Sequence, residues 1–448
     1  MDGKARTDSW RYQMTVLDTA REVLEGEPVC EWCLGRCFAD TGSGISTAER
    51  GHALHVACAM EADEAYEPID PTDCWVCGGI DVDYEAWAQR AADALAGLEF
   101  ETFQLGTRPP NGILENDRTL RRDAGLPDNA GRTFNAEVNR EVADRLTRLI
   151  DASKSADRPD VVPVLDFVDD TVTVRITPVY LYGRYRKLES GMSQRVRRCS
   201  RCDGTGSVER NGASWTCESC DGTGRRPSVE ELVAWRIRDL MDAADVSFHT
   251  AGREADDVLV LGTGRPFAFE VKEPRRRLFT PAELETAIID AAGGTVDVDE
   301  ISFAIADVIG HVTQQAFRQR FRVTTAFADP IDEDAFRGAV STLESTPIRR
   351  HLRLEELAED RRPHETVRTL RDVSGERLDE YTASIAFDIE SGLDPASIAT
   401  GNDGRTEPNL VELLETDVEV TEVAIVSVRS RDGRFGTSSH LVAPPRPR

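Results

Sequence analysis

Apolar residues recur at helical spacing over residues 10–26, continue so to about residue 62, and do so again over 83–97 and Phe134–Ile150. Each run places one apolar face against a core. Between them, Glu99–Gly106, Val161–Phe167 and Thr171–Ile176 alternate or run apolar as strands do. Ser153–Pro159 is polar, contains a proline and reads as a surface connection. Further along, Ser228–Met241 reads as a helix capped by Ser228, with Glu230 and Glu231 in its first turn. Strands near 257–261 and 267–272, a helix near 281–292, a strand at 299–306 and strands at 382–388 and 418–428 follow. The order predicts an α+β, multidomain chain: one domain over 1–165, a mixed α/β domain over 166–440, and a proline-rich disordered tail over 441–448.

At 448 residues the chain is long enough for such separate cores. No run of eighteen apolar residues is present, so no membrane partner is expected, and without a charged-then-apolar leader the expected location is cytoplasmic. The net charge of −27 argues against a nucleic-acid partner at first sight, but the kind of charge changes that reading. Only four lysines occur (Lys4, Lys154, Lys187, Lys272), against 81 acidic residues. That balance suits a halophilic, salt-rich cytosol, where carboxylates keep the surface hydrated. Salt weakens binding through counterion release, so recognition would lean on bidentate arginine contacts, stacking and shape.

Eight of the ten cysteines fall in C-x-x-C pairs. Cys199-Ser-Arg-Cys202-Asp-Gly-Thr-Gly206 repeats as Cys217-Glu-Ser-Cys220-Asp-Gly-Thr-Gly224, with fourteen residues between the second and third cysteines. Four thiolates on two glycine knuckles suit tetrahedral zinc; the alternative is two redox pairs. Cys30, Cys33, Cys74 and Cys77 form a second candidate set, although forty residues separate its pairs. A helical insertion would bring them together; otherwise they are unrelated knuckles. Cys37 and Cys58 read as buried free thiols. No small-molecule cofactor is indicated.

Two segments carry candidate chemistry. Pro178-Val-Tyr-Leu-Tyr-Gly-Arg-Tyr-Arg-Lys187 interleaves rings with cations and continues through Arg195, Arg197, Arg198 and Arg201. Such a run suits looped RNA, bases stacking on rings while guanidiniums hold phosphates; the plain alternative is a charged face paired with carboxylates. The second segment runs from Phe248 through Gly252-Arg-Glu-Ala-Asp-Asp-Val258 to Phe267, and its acid-rich turn would display a carboxylate beside a guanidinium. Gly262-Thr-Gly264 lacks the spacing of a phosphate loop and reads as a hairpin turn.

Together these motifs resemble the archaeal and eukaryotic tRNA pseudouridine synthase family numbered ten. The resemblance rests on Cys30–Arg36 (C-x-x-C-L-G-R), Glu49–Gly51, Cys74–Cys77, Pro178–Glu189, Gly252–Glu254, Leu261–Phe267, Gly404–Thr406 and Pro408. It implies an N-terminal zinc-binding, THUMP-like RNA-binding domain and a pseudouridine synthase domain with the zinc module 199–224 inserted. It also implies tRNA, through its T-arm uridines 54 and 55, as the partner. Arg184, Tyr185, Arg186, Lys187, Arg253 and Arg265 are the candidate RNA contacts.

The departures from the family pattern concern its chemistry. Members typically read G-R-E-D-x-D-V, the first Asp being the nucleophile, and Ala255 stands there in this chain. Asp257 matches the second Asp, and Asp256 is one residue off the nucleophile position. Two expected tyrosines fall at Thr324 and Asp394, and an expected lysine at Ala396. Isomerising uridine breaks the C1′–N1 bond, turns the base and rejoins it through C5, which needs a carboxylate on the flipped nucleotide. Alanine supplies none. Three readings follow: a tRNA-binding member without catalysis, an active synthase using Asp256 or Asp257, and a zinc-dependent chaperone suggested by the C-x-x-C-x-G-x-G knuckles.

Overall fold

A computed structural model describes residues 15–127, 130–210, 213–351, 365–389, 393–430 and 436–445. The chain forms two compact units, Met1–Thr177 and Pro178–Arg448. The division lies beyond the boundary at 165 expected from sequence, because Thr171–Ile176 pairs antiparallel along its whole length with Val161–Asp166. Among the described residues no helix is long and apolar enough to cross a membrane.

In the first unit, helices Tyr84–Leu95 and Phe134–Leu149 accompany a five-stranded sheet. Phe134, Val138, Val142 and Leu146 fall on one face of the second helix and are fully buried, as apolar positions four apart require. Thr133 caps that helix by accepting from the Ala136 N–H at 3.3 Å. Val161–Asp166 lies between Thr171–Ile176 on one edge and, in a single parallel register along the other, the short pieces Thr102–Phe103 and Gly106–Arg108. The strand read at 99–106 is therefore two pieces, and the expected connection 153–159 begins with the short strand Ser153–Lys154.

Helices Val16–Leu24, Glu31–Cys37 and Thr47–Ala62 make the cysteine-bearing part of this unit. The last two cross so closely that a Cβ on Gly35 would lie 1.8 Å from the Thr47 carbonyl oxygen, and one on Gly51 1.7 Å from that of Glu31. Only glycine allows that approach. Cys37 and Cys58 are buried free thiols.

The second unit is built on an eight-stranded sheet. Its order is Val296–Ala304, Val179–Lys187, Leu259–Lys272, Val418–Ser430, Phe317–Phe327, Thr382–Ile389 and Arg371–Arg377, with Asp245–Thr250 also paired to Leu259–Lys272. Its pairings are antiparallel except one short contact, Leu259–Val260 beside Ala424–Ile425. Leu181, Phe267, Phe269, Val323 and Phe387 are buried in its core.

Three expectations change here. Gly262 and Gly264 make no hairpin: Leu259–Lys272 is one strand, and its register against Val179–Lys187 shifts between Val260 and Arg265. Both glycines have positive φ, and a Cβ on Gly262 would meet the Val426 carbonyl oxygen at 2.1 Å, so the pair forms a bulge within a continuous strand. The helix read at 228–241 opens as a widened turn, Glu231–Trp235, before Arg236–Leu240. The tail expected from 441 begins later, since Leu441 bridges Ala304 and the Val442 N–H donates to Phe303; residues 446–448 lie outside the described residues.

Candidate active-site cleft and metal clusters

A cleft of about 340 Å³ opens where the 251–258 turn feeds the strand Leu259–Lys272. Arg253, Ala255 and Asp257 line it from the turn, Gln319 and Phe321 from the strand Phe317–Phe327, and Leu393–Ala396 from the segment after Thr382–Ile389. Val423 and Ile425 close its base. Alternation along Phe317–Phe327 sends Gln319, Phe321, Val323, Thr325 and Phe327 to the buried face.

The turn is held from beneath by a fully buried network. Arg265 Nε lies 2.8 Å from Glu254 Oε2, both side chains without exposed surface. Arg265 also donates to Gln319 Oε1 at 2.8 Å and to the Ala251 carbonyl. The Tyr185 hydroxyl donates to Glu254 Oε1 at 2.7 Å, and Gln194 Nε2 donates to Glu254 Oε2 at 2.8 Å. Burial, with the Glu254 carboxylate beside it, raises the Tyr185 pKa well above the ordinary phenol value. Tyr185 therefore stays a neutral donor.

Lys187 completes the support. Its ammonium donates to the carbonyls of Met192, Ala255 and Asp256 at 2.9, 3.1 and 3.0 Å. Burial lowers its pKa, opposed by Glu254, Asp256 and Asp257. The scaffold positions residue 255 at the cleft, yet residue 255 brings only a methyl group.

Two further constellations are sets of four cysteines, one in each unit. Sγ atoms of Cys30, Cys33, Cys74 and Cys77 lie within 4.8 Å of one another, as do those of Cys199, Cys202, Cys217 and Cys220. Individual separations of 3.7 Å (Cys30–Cys77; Cys202–Cys220) and 3.9 Å (Cys199–Cys217) are far too long for disulfides. They match the edge of a sulfur tetrahedron around an ion with bonds of about 2.3 Å. The Gly206 and Gly224 N–H groups donate to Cys202 and Cys220 sulfur, each at 3.3 Å. A Cβ on Gly206 would lie 2.2 Å from the Gly222 oxygen and one on Gly224 2.3 Å from that of Gly204. The doubled glycine pattern is thus two knuckles packed reciprocally.

Backbone N–H groups of Cys202 and Arg201 hold the Cys199 thiol down at about 6, while desolvation pushes Cys217 up to about 11. A central cation would let all four be thiolates together, so each set could hold a metal ion. In the first set, Arg36 is buried beside Cys33 at 3.3 Å and paired with Asp117 at 2.7 Å.

Comparison with known proteins places this architecture. Residues 180–429 match the family model "Pus10, C-terminal", and residues 87–166 match "Pus10 THUMP domain, archaeal". The chain belongs to the Pus10 family. Curated relatives include the "tRNA pseudouridine synthase Pus10" of Halorubrum lacusprofundi, 40% identical over 94% of this chain and 98% of that one. The proteins of the same name from Methanothrix thermoacetophila and Methanopyrus kandleri are 33% and 31% identical, over 92% and 93% of this chain and 94% and 99% of theirs. The fold is accordingly an α+β one, with a THUMP domain and a mixed α/β pseudouridine synthase domain.

Within that Pus10 frame the 184–187 part of the basic segment faces largely inward, whereas Arg197, Arg198 and Arg201 are exposed. Tyr185, Lys187 and Arg265 have no exposed surface, and Arg184 is buried with its guanidinium on the carbonyls of Thr263 and Gly264 at 3.0 and 3.1 Å. Arg186 is half-buried and held by Asp297 at 2.7 Å and by Asp299. Bases cannot stack on a ring with no exposed surface, so this stretch builds the support of the turn. Of the six candidate RNA contacts, Arg253 is the one that is exposed and lines the cleft.

The two aspartates part company. Asp257 lines the cleft, whereas the Asp256 carboxylate meets Arg197 at 3.4 Å and Arg226 at 3.8 Å. Those arginines face each other across the paired strands at the base of the 199–224 ribbon. Asp394 and Ala396 line the cleft; Thr324 is not in its lining. The wall residues Gln319 and Phe321 are absent from the sequence reading, although the two-residue alternation from Phe317 to Phe327 carries the signal. Gly392 of the 392–397 motif lies outside the described residues.

Proposed function

We propose that this chain is a tRNA-binding member of the Pus10 family that holds the T-arm without isomerising its uridines. Ala255 carries the reading: where the resemblance places the family's nucleophilic carboxylate, this chain turns a methyl group to the cleft, and that side chain cannot engage C1′ or the pyrimidine ring. The buried supports of the turn, the THUMP match and the paired cysteine sets favour a retained RNA-holding fold. Both clusters are assigned zinc, because four thiolates in a tetrahedral frame suit that ion. The protein is assigned to the cytoplasm, beside the tRNA it holds. It acts as a chaperone of tRNA or as the partner of a catalytic copy.

A second reading keeps catalysis and gives it to Asp257, whose side chain lines the same cleft; Asp256 is tied to Arg197 and Arg226. One experiment separates the two. The full chain is incubated in high KCl with unmodified tRNA, and pseudouridine is mapped by carbodiimide-dependent reverse-transcription stops. Tight tRNA binding without stops supports the first reading. Stops at 54 or 55 that vanish in Asp257→Ala establish the second. Binding of unfolded protein in place of tRNA would defeat both and favour a zinc-dependent chaperone.

A further inference from the structure

Arg36 closes the C-x-x-C-L-G-R motif and has no exposed surface. Its guanidinium bridges the first cysteine set and the helices that follow. Nη2 donates to Cys33 Sγ at 3.3 Å, and Nη1 donates to Asp117 Oδ1 at 2.7 Å. Asp117 belongs to the helix Ile113–Asp123, and its other oxygen accepts from the N–H of Phe134, the first residue of Phe134–Leu149, at 3.2 Å. The Arg36 carbonyl accepts from the Arg132 N–H at 2.9 Å, and a Cβ on Gly131 would lie 2.2 Å from that oxygen. Trp32, one turn earlier on the same helix, lies under the guanidinium at 4.5 Å. Its indole donates to the Tyr84 hydroxyl at 3.0 Å and meets the Phe134 ring edge-on. One short helix, Glu31–Cys37, therefore carries Cys33 and reaches the three helices that run through the THUMP match.

The second set is held differently: its sulfurs receive the N–H groups of Gly206 and Gly224, which belong to the knuckles themselves. A neutral thiol is a weak acceptor, whereas a metal-bound thiolate accepts a charge-assisted hydrogen bond. Loading a divalent ion turns the cysteines into thiolates, so Arg36 holds Cys33 more strongly when the ion is present. Linkage makes the effect mutual: the ion favours the seat of Arg36, and that seat favours the ion. We infer that Arg36 is a positioning residue that couples a divalent, thiolate-seeking ion in the first set to the seating of Ile113–Asp123 and the start of Phe134–Leu149. Withdrawing the ion then loosens the THUMP part from within, and its hold on RNA with it. The inference rests on the tRNA-holding reading for that last consequence only.

The test follows the full chain in high KCl, loaded with zinc or stripped by a chelator, through amide exchange and tRNA affinity. Stripping the wild type is expected to remove protection over 113–123 and 134–140 and to weaken tRNA binding. Gly206→Ala, which disturbs the second set, is expected to leave both as in the loaded wild type. Arg36→Met is expected to bind zinc at one of the two sites about tenfold more weakly or worse, in competition with a chromophoric chelator. With cobalt(II) in place of zinc, its sulfur-to-cobalt charge-transfer band is expected at lower energy, because Cys33 has lost a donor. Lost packing alone would not move that band. If Arg36→Met fails to fold, Asp117→Asn serves: it is expected to keep the wild-type band while exchange over 113–123 no longer answers to the chelator. Wild-type protection that survives stripping would overturn the coupling, and Arg36→Met with unchanged affinity and band would remove Arg36 from it. An Asp117→Asn chain that still answers to the chelator would overturn the route through Asp117. Coupling in a loaded wild type that does not bind tRNA would bring down the tRNA-holding reading and leave this inference standing.

Discussion

Glu254 and Arg265 form an ion pair with no exposed surface, beneath a turn that must hold its shape. Removing one partner strands the other charge, so Glu254→Gln or Arg265→Met is expected to cost about 3–5 kcal/mol. Denaturant unfolding in high KCl measures it. Tyr185 gives a pH signature. Its pKa is raised in the folded state, so its contribution is complete below the unfolded phenol value of about 10 and is lost as pH rises beyond it. Tyr185→Phe should flatten the fall of stability above about pH 10 relative to wild type. Unfolding midpoints across alkaline buffers show whether it does. These residues explain a difficulty of reading the chain: a run of Tyr, Arg and Lys looks alike whether it meets RNA or carbonyls. Its partners, Met192, Ala255, Thr263 and Gly264, become visible only once the strands are paired.

At the scale of elements, the ribbon 199–224 is tied to the cleft turn through Asp256, which meets one arginine from each strand of the ribbon's base. Asp256→Ala should loosen the turn, seen as faster amide exchange over 253–258 with little change elsewhere. Gly206→Ala drives a Cβ to 2.2 Å from the Gly222 oxygen at a φ of +75°. Metal content is then expected to fall from about two ions per chain to about one, by elemental analysis. Strands at 382–388 and 418–428 were legible because their apolar residues alternate or cluster within a few positions. Phe317–Phe327 is harder to read, because arginines at 318, 320 and 322 fill outward positions and mask the period of two. The glycines at 262 and 264 deceived for a different reason: a turn and a bulge both ask for positive φ, and only the neighbouring strand decides between them.

For the whole molecule, the net charge of −27 sets the conditions under which any of this can be observed. Carboxylate repulsion opposes the compact state in dilute buffer and is screened by salt. The thermal midpoint should climb with KCl, and a midpoint that falls or stays flat would remove the argument for a salt-adapted surface. The division after Thr177 and the two cysteine sets show how far local sequence reaches. The sets could be seen from spacing alone, but the boundary depended on which strand Thr171–Ile176 chose as neighbour.

The ribbon leaves the synthase-like unit at Arg198 and rejoins it at Arg225, and those two residues are direct strand partners. Facing residues of an antiparallel pair are only about 5 Å apart, so a short turn could join them in place of the entire excursion. The excursion could therefore be cut to such a turn without parting the strands that enter and leave it.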